Sequence, residues 1–218
     1  MVNGSATMPS TERFVWIGLG LVLVAVIASG IWTLWRAPRG AGPEDLPVLG
    51  TVPDFSLIER SGRPVRLADL RGRPWVANFV FTNCAGVCPL LSTHMANLRE
   101  ALGANKVPVR SVSFTVDPTR DTPAVLRAYA DRYHADPDGW LFLTGDHDAV
   151  YRLIGEGFLL SVAERAPDGT LAPGDLVTHS DRFVLVDGDG RIRAYYRGTD
   201  ADLIPHLLSD IRKLGGSP

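Results

Sequence analysis

The two cysteines of this chain stand close together, Cys84 and Cys88 in "FTNCAGVCP", at the end of an apolar run and with a proline directly after the second. Thiolate sulfur is a soft donor, so the pair can hold a soft metal ion or cycle between dithiol and disulfide. Residues at i and i+4 of a helix share a face, which lets both sulfurs point at one spot if a helix starts here. A helix N-terminus at that place is expected to favour thiolate over thiol. Three plainer roles fit less well. Buried free cysteine is a common small core residue, but random core filling does not set two so near each other at a strand-to-helix junction. A structural disulfide closing so short a loop contributes only about 2 kcal/mol in the chain-entropy model, against about 5 for a loop of roughly 100 residues. A thioredoxin-type redox pair reads C-x-x-C, often after tryptophan, whereas here the spacer is Ala85-Gly86-Val87 and Asn83 precedes. The spacing points to a functional dithiol.

Metal or redox chemistry then depends on a third ligand. Of the five histidines, His94 lies on the helix expected after Cys88, facing solvent or a helix neighbour, and His134, His147 and His206 stand among charged residues as surface side chains. His179 differs, because it stands in "GDLVTHSDRFVLVD" just before the strand-like run "RFVLVD", where a thioredoxin-like fold brings a loop against the cysteine turn. Two thiolates and one imidazole suit Cu(I) and can also hold Cu(II), while a structural zinc site calls for four protein ligands. Asp117 and Asp121 in "VDPTRDTP" read as turn and cap residues. "DGDG" at 187–190 reads as a tight turn, since the remaining ligands of a calcium loop are missing.

The elements needed to position these residues follow from apolar periodicity. "PWVANFVFT", 74–82, is a buried strand, and "PLLSTHMANLREALG" is a helix with Leu91, Met95, Leu98 and Leu102 on one face and Gly103 at its end. "VPVRSVSFTV" is a second strand, and "DTPAVLRAYADRY" a second helix with Asp121 or Thr122 as cap and Pro123 just inside. "GWLFLTG" is a short strand, "DHDAVYRLIGE" a short helix opened by Asp146, and "FVLVDGDGRIRAYYRG" a β-hairpin turning at 188–190. "ADLIPHLLSDIRKLGG" closes the domain as a helix, with Pro205 early enough to be tolerated. An earlier hairpin, "PDFSLIERSGRPVRL", is expected on the sheet edge. A βαβ core followed by a hairpin and a final helix is the order of a thioredoxin-like α/β domain, a central mixed sheet flanked by helices.

Residues 14–35, "FVWIGLGLVLVAVIASGIWTLW", carry no charge and have Trp16, Trp32 and Trp35 near their ends. At about 1.5 Å per residue the run spans roughly 33 Å, enough to cross a bilayer and longer than the apolar core of a signal peptide. The chain therefore divides into a tail at 1–13, a transmembrane anchor at 14–35, a Pro/Gly/Ala-rich linker at 36–46 and a folded domain at 47–214. Arg13 before the span against Arg36 and Arg39 after it leaves orientation undecided by local charge. Of 218 residues 45% are hydrophobic and 21% charged, with a net charge of −2 and scattered basic residues, which excludes a nucleic-acid-binding face.

"FTNCAGVCP", "SVSFTVDPTRDTP", "LTG" and "VTHSDRFVLVDGDGRIRAYYRG" resemble, in order and spacing, the Sco (SenC) family, over about residues 53–208. The resemblance implies a short tail, one membrane span and a thioredoxin-like domain, with Cys84 and Cys88 as the C-x-x-x-C motif, His179 as the copper-binding histidine and Asp117 near the site. It implies a copper metallochaperone on the bacterial inner membrane, its soluble domain in the periplasm. The partner would be the copper-bearing subunit of cytochrome c oxidase, whose dinuclear centre it helps assemble, or another copper chaperone. Ala85 stands where many members have proline, and Thr178 where many have aspartate; neither change removes a ligand. The alternative from another class is a thiol-disulfide reductase that reduces client cysteines before metal insertion, needing the cysteines but not His179. A thiol-based redox or copper sensor is a third reading. A peroxiredoxin fits poorly, because Phe81 stands where threonine is expected three positions before the reactive cysteine.

Overall fold

The structure, a computed structural model, describes residues 20, 23, 24, 26, 27, 29, 46–104, 107–160 and 181–215. It divides into two units, Met1–Pro43 and Glu44–Pro218. In the first, the described residues are helical and exposed, with Ser29 Oγ donating to the Val26 carbonyl at 2.9 Å. Among the described residues no helix is long and apolar enough to cross a membrane, and most of the expected span at 14–35 lies outside them.

The second unit is built on an eight-stranded mixed sheet. Its strands are β1 (Gly50–Thr51), β2 (Ser56–Glu59), β3 (Pro64–Arg66), β4 (Trp75–Val80), β5 (Arg110–Thr115), β6 (Trp140–Thr144), β7 (Arg182–Val186) and β8 (Arg191–Arg197). Their order across the sheet is β1-β8-β7-β4-β5-β6-β2-β3. β4, β5 and β6 run parallel, and β7 lies antiparallel on the other side of β4. Between them run α1 (Leu67–Leu70), α2 (Cys88–Ala104), α3 (Pro123–Arg132), α4 (His147–Arg152) and a π-turn at Leu153–Gly157, and α5 (Leu203–Gly215) ends the fold. The expected βαβ core, edge hairpin and C-terminal hairpin are all present. The short strand β1, which pairs with β8 at Gly50 and Ile192, is an addition.

"WVANFV" reads as an unbroken apolar run because β4 is covered on both faces. Trp75, Ala77 and Phe79 pack on one side with Phe114 and Phe158, and Val76 and Val80 on the other with Leu91, Met95, Leu126 and Leu207. Across the strands, Ser113 Oγ donates to Asn78 Oδ1 at 2.6 Å and accepts from Trp140 Nε1 at 2.9 Å, which links three polar side chains inside the sheet layer.

The hairpin between β7 and β8 turns through Gly190 at φ +83°, a left-handed position that glycine takes without cost. Asp187, 6% exposed, organises the turn. It accepts the backbone N–H groups of Asp189 and Arg191, Arg191 Nε at 2.9 Å and Arg193 Nη1 at 2.8 Å. Burial alone would push its carboxyl up, but the Arg191 backbone bond and the Arg193 and Arg191 side chains outweigh this and hold it below the ordinary aspartate value. A depressed carboxyl contributes stability above its unfolded pKa, about 3.9, and loses it as pH falls through the folded value. Asp187→Asn is therefore expected to cost about 1–3 kcal/mol at neutral pH. The gap to the parent in urea unfolding should close below about pH 4, and a gap independent of pH would contradict the assignment.

Candidate metal centre

β4 ends at Val80, in the centre of the sheet, and the chain turns through 81–87 before α2 begins at Cys88 with Pro89 in its first turn. Pro89 suits that position because the first-turn N–H has no helical partner. The Cys84 N–H donates to the Phe81 carbonyl at 3.3 Å and closes the turn. The Gly86 N–H donates to Cys84 Sγ at 3.4 Å. Cys84 thus lies in the turn and only Cys88 on the helix. Both are free thiols, Cys84 half-buried and Cys88 1% exposed.

The expectation that the helix terminus would favour thiolate fails at Cys88. Burial pushes its thiol up to about 12, Cys84 beside it adds to the rise, and hydrogen bonding to the backbone at Phe81 offsets only part of it. Cys88 is enclosed in the apolar cluster that also holds Leu91, Leu126 and Tyr129, whose hydroxyl pairs with Ser92 at 2.7 Å. The two sulfurs are therefore unequal, one reachable and one sealed. At pH 7.5 limiting iodoacetamide should label Cys84 at least about tenfold faster than Cys88, as read by peptide mass spectrometry. Equal labelling would contradict the burial difference.

Asp117 and Asp121 part ways in the structure. Asp117 is a turn residue, its carbonyl accepting the N–H groups of Arg120 and Asp121 and its carboxylate pairing with Arg120 at 2.9 Å. Thr122, not Asp121, caps α3, accepting the Val125 N–H at 3.4 Å. Asp121 is 1% exposed and turns inward to Thr82 and Thr115, beneath the cysteine turn. Thr82 and Asp121 are far apart in the sequence, so nothing in the local pattern signals this contact.

Among the histidines, His134, His147 and His206 are exposed as expected. His94 is half-buried and donates from Nδ1 to the Gly198 carbonyl at 2.8 Å, docking α2 on the chain after β8. Gly198 lies so close to Leu91 and to the Asp181 carbonyl that a Cβ there would overlap both. His179 and Thr178 lie outside the described residues. Among the described residues no group of three or more His, Cys, Asp or Glu side chains gathers as a metal cluster.

A mixed sheet with a βαβ core, a C-terminal hairpin and a dithiol where its central strand meets a helix defines a thioredoxin-like thiol protein. The family model described as SCO1/SenC matches residues 46–214, and the chain belongs to the Sco family. The SCO1 protein homolog of Bacillus subtilis is 32% identical over 186 residues, which cover 85% of this chain and 94% of that one. BsSco, described as a member of the Sco family of cytochrome c oxidase assembly proteins with a disulfide switch, is 33% identical in its solved structure, with a TM-score of 0.68. That match covers 78% of this chain and 96% of BsSco. Bradyrhizobium japonicum ScoI, solved with copper bound, shares the fold at a TM-score of 0.59 and 24% identity, over 76% of this chain and 99% of that one.

Proposed function

We propose that this chain is a membrane-anchored copper metallochaperone that holds one copper ion through Cys84, Cys88 and His179 and hands it on during assembly of the dinuclear copper centre of cytochrome c oxidase. The observation that carries the reading is the register of β7 on β4. Phe183 pairs with Asn78, so β7 begins beside the end of β4, where the cysteine turn starts. His179 is three residues upstream of Arg182 in the sequence, so at most about 11 Å of chain separates it from the start of β7. Two soft sulfurs and one imidazole nitrogen form a donor set that accepts Cu(I) at low coordination. The description of BsSco's family as cytochrome c oxidase assembly proteins supports the destination, and the copper held by the Bradyrhizobium protein the cargo.

Copper is cargo here, so the site must open to a partner's ligands. Cys84 meets that need as the reachable sulfur, and Leu90 and Val125 stand exposed on the first turns of α2 and α3, apolar side chains suited to transient docking. The receiving partner is the copper-bearing subunit of cytochrome c oxidase, or another copper chaperone. Residues 14–35 anchor the chain in the inner membrane with the domain in the periplasm. The length and lack of charge of that run support this, as do its helical, exposed Leu23, Val24, Val26 and Ile27. Titration of the reduced protein with Cu(I) and Cu(II) tests the reading. About one copper per chain with thiolate-to-metal absorption is expected, and absence of tight binding would refute it.

A second reading, a thiol-disulfide reductase acting on client cysteines, is favoured by one feature, the asymmetry between a reachable Cys84 and a sealed Cys88. Such a pair suits attack by one sulfur and resolution by the other. Full reductase turnover in His179→Ala without copper binding would select it.

A further inference from the structure

We infer that Asp121 is a positioning residue of the dithiol, a buried carboxylate that ties the turn carrying Cys84 to the end of β5. The inference rests on reading Cys84 and Cys88 as a working pair. Asp121 Oδ1 accepts the Thr82 hydroxyl at 2.6 Å, and Oδ2 accepts the Thr82 N–H at 3.1 Å and the Thr115 hydroxyl at 2.6 Å. Oδ1 also lies 3.4 Å from the Thr82 nitrogen. Thr115 Oγ1 in turn accepts the Asp117 N–H at 3.0 Å, which fixes the far side of the network.

Neither of the usual reasons for an aspartate applies here. Thr122 already caps α3, and among the described residues no ion pair balances the Asp121 charge. Burying a carboxylate without a cation is costly unless several donors converge on it, and here three do, all from Thr82 and Thr115. The contacts identify the task. Thr82 is held by backbone and side chain together, and two residues later the Cys84 N–H closes on Phe81. The turn is thereby fixed with both cysteines as free thiols, Cys84 half-buried against the apolar cluster that encloses Cys88. A fixed turn favours the dithiol that it presents; a loosened one can adapt to the tighter geometry of a disulfide.

The test is exchange with glutathione in the copper-free full-length protein. In that reaction Cys84 and Cys88 give two electrons and two protons to one glutathione disulfide, forming one protein disulfide and two molecules of glutathione. Asp121→Asn and Thr82→Val should each raise the equilibrium constant for oxidation at least about threefold, while Thr115→Val stays within about 1.5-fold of the parent. Thr115→Val is the control, because it removes a bond of the same length to the same carboxylate, together with the bond from the Asp117 N–H, and touches no contact of the cysteine turn itself. Three variants at the parental value would overturn the inference, and so would an equal shift in all three, which reports lost stability alone. If Asp121→Asn does not fold, the comparison of Thr82→Val with Thr115→Val decides. No copper enters the measurement, so a failure of copper binding leaves this readout intact.

Discussion

Replacement of Cys88 by alanine is expected to lower Cu(I) affinity by more than about 100-fold, and replacement of Cys84 to do the same. Changes to groups that merely orient a ligand already cost about 10–100-fold, and each cysteine substitution removes a donor outright. Cys88 is the more informative position. The residue is 1% exposed within the cluster that holds Leu91, Leu126 and Tyr129, so a bland core role would predict a loss of stability with copper binding kept. Competition against a chromogenic Cu(I) chelator, with thermal unfolding of the metal-free variant alongside, separates the two. Parental affinity in Cys88→Ala would remove the dithiol from the site.

Phe114→Ala is expected to produce the largest loss of stability, about 3–5 kcal/mol, from lost packing and the cavity left behind. Its ring is fully buried and meets those of Phe55, Trp75, Phe79 and Phe158 at centroid distances of 5.9, 6.4, 5.8 and 5.2 Å. Small domains hold only about 5–15 kcal/mol in total, so the variant should unfold at much lower urea with its slope unchanged. The effect should reach the site, because Phe79 stacks on Phe114 and lies on the strand that delivers the cysteine turn. A cost under about 1 kcal/mol would mean that the aromatic cluster is not the centre of the core.

Local patterns announced much of this architecture. The apolar run of β4, the proline after Cys88, the Thr122-Pro123 helix start and the glycines at 188 and 190 each determine their element through chemistry within a few residues, and each element is present. The site was legible as far as its cysteines, since a tight pair at a strand-to-helix junction has few other uses. Asp121 was not. Its signature is three donors on Thr82 and Thr115 converging on one buried carboxylate, and in sequence it looks like an ordinary cap beside Thr122. His94 reads from sequence as facing solvent or a helix neighbour for the same reason, because the Gly198 carbonyl that it meets arrives from after β8. The Cys88 thiol illustrates a different gap. A helix terminus is visible in sequence, but the desolvation that overrides it depends on the tertiary cluster in which Cys88 is buried.

The central claim is that two sulfurs and the imidazole of His179 meet on one copper ion. Copper-edge X-ray absorption on the Cu(I)-loaded protein, compared with His179→Ala, tests it most directly. Two sulfur neighbours and one nitrogen neighbour are expected in the parent, with the nitrogen lost and both sulfurs kept in the variant. Identical copper surroundings in the two proteins would contradict the account.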